Sequence, residues 1–79
     1  MARKPKYRDE DGLKKFGQRL REIRKEKGVS QEDLAYKTDL HLSQVGRIER
    51  GEIGCSISFV FLFSTTLGVE PKDFFDFEK

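Results

Sequence analysis

The sequence predicts an all-α fold of five helices, and three observations carry that prediction. Residues Val29 to Gly51 hold two short helical patterns separated by a few residues. Leu13, Phe16, Leu20 and Ile23 recur at three- and four-residue spacing, the period of one helix face. Ser56 and Gly68 bracket an apolar stretch, Ile57 to Leu67, with a helix-starting and a helix-stopping residue.

Taken in order, Met1 to Asp11 has no apolar periodicity and contains Pro5, so residues 1–12 read as a flexible basic arm and residues 13–79 as one helical domain. Arg3, Lys4, Lys6 and Arg8 suit a polyanion groove, whereas Asp9, Glu10 and Asp11 directly after them suit a solvated tail, and the residues leave both open. The first helix is expected from Leu13 to about Lys27, stopped by Gly28. Arg24 falls beside its apolar stripe, and the other charges lie on faces open to solvent.

Ser30 stands before Gln31-Glu32-Asp33, so its hydroxyl caps a second helix whose first turn is acidic, starting at Gln31. Leu34 and Ala35 point inward from it, and Ala35 is small enough for another helix to cross close by. Thr38 and Asp39 break the pattern, and aspartate is among the few non-glycine residues that tolerate the left-handed backbone a short turn between crossed helices needs. A third helix follows from about His41 to Arg50, with Leu40 at its entrance, Val45 and Ile48 inward and Gly51 as the stop. Leu42, Ser43, Gln44, Gly46, Arg47 and Arg50 are left facing away from the core.

The stretch Glu52-Ile53-Gly54 reads as a loop whose backbone amides suit a phosphate. The fourth helix is apolar on more than one face. Its ISFVFLF run has the propensity of a strand, but its capped entrance favours a helix. Pro71 suits the first position of a final helical turn, with Phe74, Phe75 and Phe77 to close the core and extend the apolar surface.

Composition bounds the rest. Seventy-nine residues make one small domain with a marginal core, for which dimerisation or tight helix packing helps. No apolar run approaches the length of a membrane span and no apolar region follows the basic N-terminus, so neither a span nor a secretory signal is expected, and the location expected is cytoplasmic. The single cysteine, Cys55, has no partner for an internal disulfide, and the lone His41 does not complete a metal site. No Cys/His or Ser/His/Asp set, paired carboxylates in an apolar setting or phosphate-cradling glycine loop points to an enzyme, and no cofactor, metal or small-molecule ligand is expected.

The net charge is only +2, but Met1 to Gly28 carries eleven Lys/Arg against five Asp/Glu, residues 29–51 three against four, and residues 52–79 two against five. A basic N-terminal third and an acidic C-terminal third suggest one face suited to a polyanion and another that repels it.

The run SQEDLAYKTDLHLSQVGRIERGE, continued by LGVEPKDFF, resembles the helix-turn-helix of the lambda repressor and Cro family of DNA-binding regulators, the XRE type. The resemblance spans roughly Leu13 to Phe75, with the helix-turn-helix at about 31–50. It implies double-stranded DNA as partner and a homodimer whose two third helices enter successive major grooves of a near-palindromic operator. The family's base-reading positions fall on Leu42, Ser43 and Arg47, with Gln44 beside them. Arg47 suits a guanine, Gln44 an adenine, Ser43 either, and Leu42 a thymine methyl. Gln31 matches a phosphate-clamping position. His41, Arg50 and Arg19 are further phosphate candidates, with Gln18 near them.

Arg24 matches a family position that pairs with the glutamate near the end of the third helix, here Glu49, in a partly buried ion pair. Two departures stand out on the reading face. Leu42 replaces a residue commonly polar, and Gly46 leaves a gap that either admits the sugar-phosphate backbone or reduces direct base contacts. Relatives generally carry polar residues where Phe59 and Leu62 stand, so Phe59, Leu62, Phe63 and Phe77 are expected at a dimer contact. A protein-interaction module of the same fold, with the Phe59 and Leu62 patch as partner site, is the alternative.

Overall fold

A computed structural model describes residues 7–77, and every regular element among them is helical. Arg3, Lys4 and Lys6 of the expected arm lie outside the described residues. The order is α1 (Glu10–Glu26), α2 (Gln31–Thr38), α3 (Leu42–Glu49), α4 (Ile57–Leu67) and a 3₁₀ helix (Pro71–Phe75). The fifth expected helix is thus a single tight turn, opened by Pro71 and tied by the Glu70 amide donating to Asp73 Oδ2 at 2.9 Å.

The first boundary differs from expectation. Asp9 accepts a hydrogen bond from the Gly12 amide at 2.9 Å and Glu10 and Asp11 fill the first turn, so residues 10–12 belong to α1 rather than to an arm. The three acidic residues that interrupt the basic run are a helix start, where carboxylates meet unpaired N–H groups and the positive end of the helix dipole. The other starts follow the sequence. Ser30 Oγ accepts from the Asp33 amide at 3.0 Å, and Ser56 Oγ from the Phe59 amide at 3.4 Å.

Stops are equally local. Asp39 adopts φ 59° and is the one non-glycine residue among those described with positive φ; it ends α2 and lets the Leu40 amide return to the Ala35 carbonyl at 3.0 Å. Gly51, at φ 75°, closes α3: its amide donates to Ile48 O at 3.0 Å and that of Glu52 to Arg47 O at 2.9 Å, the paired pattern of a left-handed helix stop. The Glu52 amide, expected to face a phosphate, is therefore spent on the helix end.

The core gathers Phe16, Leu20 and Ile23 of α1, Leu34 and Ala35 of α2, Val45 and Ile48 of α3, Val60, Phe63 and Leu67 of α4, and Phe74 of the 3₁₀ helix. Helix α1 lies against α3 and the 3₁₀ helix, and α2 against α3 and α4. Cys55 borders this core half-buried, and that burial pushes its thiol pKa up.

Phe63 is wholly buried, so its expected place at a dimer contact is overturned. An eleven-residue helix apolar on more than one face gives little phase to its burial, and Phe63 joins Val60 and Leu67 in the core where α4 packs on α2 and the 3₁₀ helix. The exposed apolar side chains of α4 are Ile57, Phe61 and Leu62, at 64%, 56% and 37%. Phe59 is partly buried, its ring 6.1 Å from that of Phe63, and the half-buried Phe77 lies 6.3 Å from Phe75.

Two glycines set the crossing of α1 with α3. A Cβ on Gly17 would stand 2.3 Å from the Ile48 carbonyl oxygen and 2.6 Å from that of Glu49, and one on Gly51 would stand 2.7 Å from Lys14 Cα. Both contacts are with backbone, which cannot swing aside. In an open helix Gly→Ala stabilises by about 1 kcal/mol; here overpacking reverses the sign. Gly17→Ala is expected to lower stability by about 1–3 kcal/mol, read as a reduced urea midpoint with unchanged slope, and a raised midpoint would mean the crossing is looser than described.

Candidate nucleic-acid interface

The site begins with a buried carboxylate. Glu49, in the last turn of α3, accepts Arg24 Nε on Oε2 at 2.6 Å and Arg24 Nη2 on Oε1 at 3.0 Å, a two-point pairing of fork and carboxylate. Gln31 Nε2, at the start of α2, donates to Glu49 Oε1 at 2.9 Å, and Arg24 Nη1 reaches Val29 O at 2.9 Å. Three helices are thereby joined at one group. Glu49 and Arg24 are both buried, and among the described residues no buried side-chain nitrogen or oxygen lacks a partner.

That junction faces α3 outward. Leu42, Ser43 and Arg47 are exposed along one side, with His41 exposed at the N-cap. Gln44 sits beside them half-buried, and its Oε1 accepts from the His41 amide at 2.9 Å, which closes the start of the helix. Its expected adenine contact competes with this cap.

Gly46 is not the open gap expected. It is buried under Arg50, whose Nη1 would lie 3.0 Å from a Cβ there, so the missing side chain is replaced by a guanidinium folded back over the helix.

Arg50 Nε meets Glu52 Oε2 at 2.7 Å, and Arg47 Nε lies 3.6 Å from Glu52 Oε1. One carboxylate thus stands between the two arginines of this face. The Arg50 hydrogen bond lowers the Glu52 pKa, with the charges of Arg50 and Arg47 adding to it, and Glu52 in turn raises that of Arg50. A depressed carboxyl stays ionised at neutral pH, so the pairing is fully present above the ordinary carboxylate pKa and is lost only as pH falls through the lowered one.

One phosphate candidate is placed otherwise and a second is partly engaged. Arg19 Nε donates to Asp73 O at 2.9 Å and Nη1 to Glu22 at 3.3 Å, so its guanidinium binds the 3₁₀ helix to α1 instead of facing a phosphate. Gln31 has one amide donor engaged by Glu49. Arg8, expected on a mobile arm, donates Nη2 to Glu52 O at 2.6 Å and Nε to Glu10 at 2.6 Å, which pins the loop after α3. Glu52 itself escaped sequence reasoning, although its position two residues after Arg50, just past the glycine stop, was the available signal.

A family model described as a helix-turn-helix domain matches residues 15–74. The chain belongs to the XRE-type helix-turn-helix family of transcriptional regulators. Its relatives within that family include control protein C.BamHI of Bacillus amyloliquefaciens, 46% identical over 63 residues that make up 78% of each chain. The crystal structure of the restriction-modification controller protein C.AhdI from Aeromonas hydrophila superposes with a TM-score of 0.75 at 47% identity, covering 78% of this chain and 94% of that one. The clp gene regulator ClgR from C. glutamicum does so at 0.76 with 25% identity, covering 80% and 82%. In this helix-turn-helix, the Arg24–Glu49 pair is what holds α3 against α1. Arg24→Ala would strand a buried carboxylate and is expected to cost about 3–5 kcal/mol, measured by urea unfolding. The double variant Arg24→Met with Glu49→Leu should recover most of that loss, and a single-variant loss below about 1 kcal/mol would show that the pair is solvated.

Proposed function

We propose that the protein is a sequence-specific regulator of transcription that binds a near-palindromic operator in double-stranded DNA as a homodimer, of the restriction-modification controller type. The observation that carries this reading is the outer face of α3, where Leu42, Ser43 and Arg47 are exposed on a helix held by a buried three-helix junction. A major groove admits one such helix, and residues near its N-terminus reach base edges. C.BamHI and C.AhdI, whose names are those of controller proteins, support the subtype, since both are close to half identical over most of this chain.

In this reading Arg47 takes a guanine through its terminal nitrogens, Ser43 donates or accepts at a neighbouring base, and Leu42 packs on a thymine methyl. Arg50, His41 and the α2 start with Gln31 lie along the phosphates. The dimer forms through Ile57, Phe61 and Leu62 of α4, flanked by Phe59 and Phe77. Apolar side chains contiguous on a small domain mark an interface, and the two α3 helices of such a dimer would stand about 34 Å apart.

Selection of bound sites from a random duplex library at two salt concentrations tests the whole reading. Enrichment of a two-fold symmetric site is expected; weak, unenriched binding that vanishes with salt would reduce it to backbone electrostatics and favour a protein-interaction role. On the selected site Arg47→Ala should lose about 1–3 kcal/mol of specific affinity while random-duplex binding changes little. Phe61→Glu should give monomers in sedimentation velocity, with much weaker operator binding. A dimer that survives this substitution would remove α4 from the interface.

A further inference from the structure

Glu52 is placed where neither helix capping nor core packing asks for a carboxylate. Its backbone is fixed from three sides: the amide by Arg47 O at 2.9 Å, the carbonyl by Arg8 Nη2 at 2.6 Å, and the preceding Gly51 by close approach to Lys14. From that anchored point the side chain reaches back along α3, one oxygen to Arg50 and the other to Arg47. Gly46 eases this geometry: a Cβ there would stand 3.0 Å from Arg50 Nη1, so the guanidinium would have to draw back by a few tenths of an ångström.

Resting on the regulator reading above, we propose that Glu52 is a positioning residue for DNA selectivity: it holds Arg50 back from phosphates and aims the free end of Arg47 outward. Both arginines meet Glu52 through Nε, the nitrogen nearest the chain. The two terminal nitrogens of Arg47 are those needed for a two-point contact with guanine, and they remain available. The carboxylate also cancels part of the positive charge that any duplex would feel. A phosphate at an arbitrary register must displace Glu52 from Arg50 and gains one charge contact in return. At the operator that cost is offset by the aim Glu52 gives Arg47 on its base, which a random duplex does not use, and an exposed ion pair of this kind is weak enough to be exchanged. Glu52 therefore penalises random binding more than specific binding.

The test compares Glu52→Gln with wild type on the selected operator and on a random duplex, across a salt series. A charge control, Asp76→Asn, removes an exposed carboxylate just past the 3₁₀ helix for which no ion pair is described. Glu52→Gln is expected to tighten random-duplex binding by about fivefold, to leave operator affinity within about twofold, and to steepen the random-duplex salt dependence by about one phosphate equivalent. The control should leave the operator-to-random ratio unchanged. If Glu52→Gln tightens both duplexes equally, or if the control matches it, Glu52 acts through bulk charge alone and the proposal fails while the regulator reading stands. A wild-type protein with no preferred site would overturn that reading and this proposal together.

Discussion

Glu49 is the group on which the geometry of the molecule depends. It lies on α3, receives Arg24 from α1 and Gln31 from α2, and is buried. A charge removed from water is costly unless its partners are in place, so the three helices are satisfied together in one arrangement. The apolar residues around it would tolerate a range of crossing angles. The paired carboxylate does not, and the backbone contact at Gly17 closes the remaining freedom of α1 against α3.

Much of this was legible in the residues because it is local. Caps at Ser30 and Ser56, the left-handed Asp39 and the stop at Gly51 act within a turn of chain, and each behaves as its chemistry requires. The inward residues of α1 to α3 follow from spacing alone. What was hidden depended on a neighbour. Gly17 carries no sign that α3 passes within touching distance, and Arg19 gives none that its guanidinium ends on a carbonyl fifty-four residues on.

On helix α4 one residue, Phe63, was placed on the wrong side for a physical reason. Where apolar residues cover more than one face of a helix, periodicity says little and the packed partners select the buried side, so Phe63 went inward while Phe61 and Leu62 stayed outward. Asp9 was misassigned for a different reason: acidic residues mark either a solvated tail or a helix start, and the apolar stripe that decides between them begins four residues later, at Leu13. The outer face of α3 was legible in its residue types and less so in their engagements. Arg50 and Gln44 are on the expected side of α3, but each is already hydrogen-bonded to the protein itself.

Two kinds of residue share α3, which stops at Gly51. Those that hold the helix, Val45, Ile48 and Glu49, are buried, and the glycine turn locks its end onto α1. Leu42 and Ser43 project into solvent with no described hydrogen bond from their side chains to another helix. Substitutions at such positions shift stability by only about 0.5 kcal/mol. On the proposed reading, a lineage can therefore rewrite what the helix recognises while inheriting the scaffold unchanged, and diverging copies of this domain can part in specificity long before they part in shape.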